Sequence, residues 1–259
     1  MSHTLSYDNT FEGFLSTVFY VFEYKLSKVK IVKEERFAQT FFDIPIIVET
    51  EDEKATRIWR WLAKEAGRGA CNDLYRAYLS ELEGIEDDLL YFIQAVAKTK
   101  DAKHLIKNFA DPTILKISKV VRKVGREKHR MDAFVRFRET KDGLYVATVE
   151  PDFDVLPLIT SHFEKRYADQ KWLIYDLKRN YGIYYDLHKV ETVKMEMDKN
   201  VNKASYSHLF FTENELAYQE LWQNYFKSVD IVSRRNTKLH LQHVPKRYWK
   251  YLSEKQPFS

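Results

Sequence analysis

Apolar residues recur along the chain at two spacings, and the change from one to the other predicts the order of elements. Leu5-Ser-Tyr7 reads as a short strand, Asp8-Asn9 as a turn, and Thr10 as the cap of a helix through about Tyr24. Phe11, Phe14, Leu15, Val18, Phe19 and Phe22 fall on one face of that helix. Phe41 to Val48 is apolar and β-branched, a strand that Pro45 marks as an edge or a break. Glu51 to Ala66 is helical, with Ala55, Ile58, Trp59, Leu62 and Ala66 on its apolar stripe and acidic residues in the first turn, where the helix dipole favours them. Further helices are expected over about 72–82 and 86–98, divided by Gly84. The next opens at Asp111-Pro112 and carries Ile114, Ile117, Val120, Val121 and Val124 on one side.

Beyond this helix the period falls from 3.6 to 2. Ala133 to Arg138 alternates, Lys141-Asp142-Gly143 signals a turn, and Leu144 to Val149 returns, which predicts a β-hairpin. A helix from about Val155 to Tyr167 follows. A second hairpin pairs Trp172–Asp176 with Gly182–Asp186, and Val190 to Met197 adds a further strand. Thr212 caps a helix to Val229; a short strand at Ile231-Val232 and a last helix opened by Pro245 complete the order. The expected fold class is α+β: an antiparallel sheet built from two β-hairpins bracketing a helix, with multiple helices packed on it. No repeat with a period of 20–50 residues is present, and one domain over 1–259 is expected, with an acidic helical region over about 1–110 and a basic α+β region over about 111–259.

Charge sharpens this division. The net charge is +4, but Glu34 to Leu90 holds 14 acidic against 7 basic residues, a net −7. Lys116 to Arg138 holds 9 basic against 2 acidic, a net +7. Phe226 to Tyr251 holds 7 basic against Asp230 alone, a net +6. Two basic segments brought together by folding form a surface that attracts phosphate. The single cysteine, Cys71, rules out an intrachain disulfide and a cysteine-based zinc or iron–sulfur site held by this chain alone. With no signal-peptide pattern and no apolar run of about 20 residues, the expected location is cytoplasmic and no membrane partner is expected.

The candidate chemistry lies mainly in the basic region. Arg126, Lys128 and Arg130 are placed to grip phosphate, and His129 beside them is an acid, base or donor. Phe134 and Phe137 interleave with Arg136, as rings that stack on bases do, although alternation of this kind also arises where one sheet face is core and the other solvent. Asp152 and Asp154 either cap the following helix or act as an acid–base pair. His162 and Arg166 fall at i and i+4 on that helix and so share a face. Arg179 follows the strand-ending Asp176, Arg234, Arg235, Lys246 and Arg247 extend the positive surface, and Tyr181 and Trp249 are further candidates for base stacking. His240 and His243, without nearby cysteine or carboxylate, give no metal site. No phosphate loop, dinucleotide fingerprint, zinc-protease, nucleophile-elbow or zinc-deaminase motif occurs, which disfavours the common nucleoside triphosphatases, dehydrogenases, zinc proteases, serine hydrolases and zinc deaminases.

Eight ordered segments also carry a family resemblance: Tyr7-Asp-Asn-Thr-Phe-Glu-Gly-Phe-Leu15, Val124-Gly-Arg-Glu-Lys-His-Arg-Met-Asp-Ala-Phe-Val-Arg-Phe137, Glu150-Pro-Asp-Phe-Asp-Val-Leu-Pro157, His162-Phe-Glu-Lys-Arg-Tyr167, Trp172-Leu-Ile-Tyr-Asp176, Arg179-Asn-Tyr-Gly-Ile-Tyr-Tyr185, Arg234-Arg-Asn-Thr-Lys238 and Pro245-Lys-Arg-Tyr-Trp249. Together they resemble a bacterial family built on the domain of unknown function 4130, which is associated with DNA metabolism and DNA repair. The resemblance implies a DNA partner and a neighbouring radical S-adenosylmethionine protein similar to photoproduct lyases. Longer members continue into a uracil-DNA-glycosylase-like domain, an activity not expected of these residues. No catalytic residue is carried over, and radical chemistry would belong to the partner, leaving this chain without a cofactor of its own.

Three functions follow as expectations. The first is a nucleic-acid-binding accessory factor in repair. The second is an enzyme on damaged or modified nucleobases that uses His129, Asp152, Asp154 and His162 around one pocket. The third is a protein-binding scaffold that offers its acidic region to a partner.

Overall fold

A computed structural model describes residues 3–36, 45–195, 211–212 and 237–255, together with 215, 217, 218 and 221. The expected helix over 212–229 lies mostly, and the strand Ile231-Val232 wholly, outside the described residues. The chain divides into two compact units, 1–126 and 127–259.

In the first unit, β1 (His3–Tyr7) leads into α1 (Phe11–Glu23) and then β2 (Val29–Lys33). β1 pairs in parallel with β2, Leu5 opposite Ile31, and with β3 (Ile46–Ile47), Leu5 opposite Ile46, giving the order β2-β1-β3. Parallel neighbours need a crossover, and α1 supplies it. Thr10 caps α1, its Oγ1 accepting from the Gly13 amide at 2.9 Å, and it in turn donates to Asp8 at 2.6 Å. Gly13 is required there, because a Cβ would lie 2.1 Å from the Asp8 Oδ1.

The helices α2 (Asp52–Glu65), α3 (Arg68–Tyr78) and α4 (Ile85–Lys98) enclose the core with α1. Leu5, Phe14, Val18, Leu62, Leu74, Phe92 and Ile93 are fully buried. Phe11 packs against Trp59, Tyr75 and Tyr78 at ring separations of 5.3, 4.9 and 5.0 Å. Gly84, at φ 75°, makes the left-handed turn into α4. Of the expected apolar face of α1, Phe14, Leu15 and Val18 are buried, whereas Phe19 and Phe22 remain partly exposed. Asp111 opens α5 (Pro112–Phe134), its Oδ1 accepting from the amides of Thr113 and Ile114 at 2.8 and 3.1 Å.

The unit boundary falls inside α5, and this helix runs further than the alternation at Ala133 to Arg138 predicts. Val124, Glu127, Met131 and Val135 are all buried, which continues the helical stripe; the Val135 amide still donates to the Met131 carbonyl at 3.2 Å. Only Arg138–Glu139 remains as β4.

The sheet of the second unit has the order β4-β5-β6-β7-β8, with β5 Tyr145–Val149, β6 Trp172–Asp176, β7 Tyr181–Tyr185 and β8 Val190–Val193. The expectation of a wholly antiparallel sheet is corrected here. The central β5–β6 pair is parallel, Ala147 opposite Ile174, and α6 (Leu156–Arg166) is its crossover. What holds is a mixed α+β fold with helices and two sheets. β6 is buried along its whole length, and Trp172 sits among Phe137, Phe163 and Tyr185. Near its C-terminus the described chain forms α7 (Thr237–His243) and a tight 3-10 turn, Lys246–Tyr251, which buries Tyr248. Among the described residues no helix is long and apolar enough to cross a membrane.

Two stability tests follow. A Cβ at Gly182 would lie 2.8 Å from the Ile174 carbonyl oxygen, so Gly182→Ala should destabilise by about 1–3 kcal/mol. Gly125, with nothing within 4 Å of such a Cβ, should gain about 0.5–1 kcal/mol as Ala; urea melts of both variants read the difference. Burial also raises the Cys71 thiol to about 11, and the thiolate is the reactive form. Cys71 should therefore resist a thiol-reactive dye at neutral pH until denaturant is added.

Candidate functional site

The polar residues of the second unit converge on a carboxylate. Glu127 is only 1% exposed, in the middle of the most basic stretch of the sequence. Its Oε1 accepts from the Asp152 amide at 2.8 Å and from the Tyr248 hydroxyl. Its Oε2 accepts from Arg130 at 3.3 Å and from Arg247 at 3.5 Å. Burial, followed by the Glu127 carboxylate, holds the Tyr248 phenol well above the usual tyrosine range. Four donors from α5, the loop 150–154 and the turn Lys246–Tyr251 thus compensate the desolvation of one carboxylate.

A second buried carboxylate anchors the same loop from the sheet. Asp176, fully buried at the end of β6, accepts from the amides of Lys178 and Arg179 at 2.8 and 3.2 Å and from the Arg179 Nη1 at 2.7 Å. Burial raises its carboxyl above the ordinary value, with Arg179 opposing that shift. Arg179 also reaches the carbonyls of Pro151 and Asp152 at 3.2 and 3.3 Å, and the Lys178 Nζ meets the Asp152 carbonyl at 3.0 Å. The Tyr181 hydroxyl donates to Asp154, and Lys250 pairs with Glu150.

The loop 150–154 is therefore held from three sides, and the charges nearly cancel. Arg130, Lys178, Arg179, Arg247 and Lys250 stand against Glu127, Glu150, Asp152, Asp154 and Asp176, five against five. Folding does join the end of α5 to the turn Lys246–Tyr251: Phe134 lies 5.4 Å from the Tyr248 ring, and Arg136 pairs with Glu254 at 2.8 Å. The contact is made through carboxylates, so much of the local basic surplus is neutralised.

The sequence-predicted residues are distributed as follows. Lys128 pairs with Asp132 at 2.5 Å, and Arg166 is exposed beside the Tyr167 ring. Lys246 is exposed; Arg126 ends the first unit and is exposed. Arg234 and Arg235 lie outside the described residues. Arg138 is half-buried, its guanidinium 4.0 Å above the Phe211 ring, and desolvation lowers its pKa to about 10 against the opposing effect of Glu215. Phe137 is enclosed by Phe163, Tyr167 and Trp172. Trp249 is partly exposed, and its indole donates to the Val244 carbonyl at 3.1 Å. Of the four candidates for chemistry, His129 faces solvent on α5 and His162 packs on Phe163, while Asp152 pairs with Arg247 and Asp154 with Tyr181. Each is engaged differently. Among the described residues no group of three His, Cys, Asp or Glu is placed to hold a metal ion.

Arg247 differs from the other arginines. All of its polar contacts run through Nη2: Tyr248 at 2.7 Å, Glu127 at 3.5 Å and Asp152 at 2.6 Å. Its Nη1 and Nε make no hydrogen bond among the described residues, and the side chain is 44% exposed. A guanidinium fixed at one nitrogen, with its other edge toward solvent, is preorganised for an oxyanion.

Glu127 and Tyr248 belong to this candidate site and are absent from the sequence prediction. Glu127 had a legible signal, since it falls on the buried stripe between Val124 and Met131. The family model for the domain of unknown function DUF4130 matches residues 83–254, and the chain belongs to that family. No curated protein and no solved structure matches the chain.

Removing the central acceptor leaves the Asp152 amide and the Tyr248 hydroxyl without a partner. Glu127→Ala should destabilise by about 1–3 kcal/mol, and Glu127→Gln, which keeps an acceptor oxygen, by less. Lys246→Ala at the surface should stay within about 0.5 kcal/mol. Denaturant unfolding of the three variants checks this order.

Proposed function

We propose that this protein binds the sugar-phosphate backbone of a nucleic acid through its second unit, on the surface formed by the loop 150–154 and the turn Lys246–Tyr251. The observation that carries this reading is the half-exposed guanidinium of Arg247, positioned by Glu127 and Tyr248, with two nitrogens unengaged. Its outer partner Asp152 is 50% exposed, and an ion pair at such a surface is weak enough for a phosphate to replace the carboxylate. Lys246 adds an exposed cation on the same turn, and Lys178 adds one whose ammonium rests on a backbone carbonyl. Trp249 supplies the ring for base stacking. Arg179 and Arg136 hold the surface in shape, because their guanidinium groups are occupied by Asp176, Glu254 and main-chain carbonyls.

In this reading the chain is an accessory factor in DNA metabolism or repair. It holds the polymer for a partner such as the radical S-adenosylmethionine protein that the family resemblance implies. An iron–sulfur cluster would reside in that partner, since the one cysteine of this sequence is buried.

Fluorescence anisotropy with single-stranded, duplex and lesion-bearing oligonucleotides tests the proposal. Three phosphate contacts should weaken duplex binding by roughly 40-fold between about 50 and about 200 mM salt. Arg247→Ala and Lys246→Ala should each weaken binding and reduce the salt slope by about one. Absence of binding to all three substrates at low salt overturns the reading.

A further inference from the structure

In the first unit an open cavity of about 350 Å³ is lined by Phe19, Phe22, Ile58, Trp61 and Ala97, with Glu23 and Arg57 at its rim. It accounts for the exposure of Phe19 and Phe22: they sit on the expected apolar face of α1, but that face is not fully covered by α2 and α4. Ile58 is buried at 7% exposure, and the Phe22 and Trp61 rings meet edge to face at 6.3 Å. The volume lies at the lower end of the range for small-molecule sites, about 300–1,000 Å³. It suits one or two fused rings and is too small for the face of a docking helix.

The charges at the mouth indicate the rest of the ligand. Lys54 and Arg57 both lie over the Phe19 ring, at 5.4 and 5.6 Å. Lys54 is shared between Glu51 at 2.7 Å and Glu23 at 3.7 Å. Arg57 has no carboxylate partner among the described residues. An apolar, aromatic cavity with one guanidinium outside any ion pair among the described residues is complementary to a small molecule that is apolar at one end and anionic at the other. We propose that this cavity binds an aromatic acid, its ring against Phe22 and Trp61 and its carboxylate or sulfonate on Arg57. The proposal is independent of nucleic-acid binding, which uses the other unit.

The test titrates the full chain with anilinonaphthalene sulfonate and with its uncharged counterpart, phenylnaphthylamine, following dye emission and the quenching of tryptophan fluorescence. The sulfonate should bind at a single site. Arg57→Gln should weaken it about tenfold while leaving the uncharged dye within about twofold. Ala97 is exposed on the cavity wall, and Ala97→Trp should exclude both dyes without changing the melting temperature of the unliganded protein. Trp61→Phe, which keeps the cavity, should retain binding but lose most of the quenching and so provides a readout independent of the filling variant. Unchanged sulfonate affinity in Arg57→Gln, or undiminished quenching in Trp61→Phe, overturns the proposal.

Discussion

A carboxylate placed in the interior of a basic segment must be compensated on every side, and the second unit is arranged around how Glu127 meets that requirement. Desolvating a charge is costly, and breaking a buried pair is worse than never forming it. The donors to Glu127 come from three parts of the chain: Arg130 one turn along α5, the amide of Asp152, and Arg247 with Tyr248 in the C-terminal turn. None of these parts can shift without exposing the charge to an unmet partner. Asp176 repeats the device from the end of β6, using Arg179 to hold the Pro151 and Asp152 carbonyls. The loop between β5 and α6 is thereby fixed at both its side chains and its backbone.

This arrangement changes the meaning of the basic runs. Counted along the sequence they are surpluses, but in the folded unit most of the arginines near the loop are structural, each satisfying a carboxylate or a carbonyl. A smaller number keep donors toward solvent. Arg179 and Arg247 illustrate the difference. Arg179 is 9% exposed, with Asp176 and two carbonyls around it. Arg247 is held at one nitrogen and open at the others. The balance of five cations and five carboxylates also argues for recognition by geometry over bulk attraction, since the Asp152 carboxylate stays in the loop when a phosphate takes its place on Arg247.

Much of the fold is legible in the sequence. The α1, α2 and α4 helices, the Asp111 cap, β5, β6 and β7 follow from local period and turn chemistry, which act within a few residues. The misses are non-local. The pleat-like alternation at Ala133 to Arg138 competes with a helical stripe through Glu127, Met131 and Val135, and burial of that stripe decides in favour of helix. The parallel pairing of β5 with β6 depends on the hand and packing of α6, which strand patterns do not encode. β2, with two lysines in Val29–Lys33, lacks a simple apolar signature because Lys33 is buried against the Tyr78 ring, 5.1 Å from its centroid. At the site, the sequence identifies the segments that converge. It does not distinguish an arginine that builds from one that binds, because that depends on which carboxylates fold beside it.

Hydrogen–deuterium exchange of the full chain, with and without a saturating oligonucleotide at low salt, tests the proposed surface most directly. Added protection should appear in peptides covering 150–154 and 246–251, where a bound backbone would shield amides already ordered around Glu127. Protection confined to the acidic helices of residues 52–98, with the loop and the turn unchanged, would contradict the account.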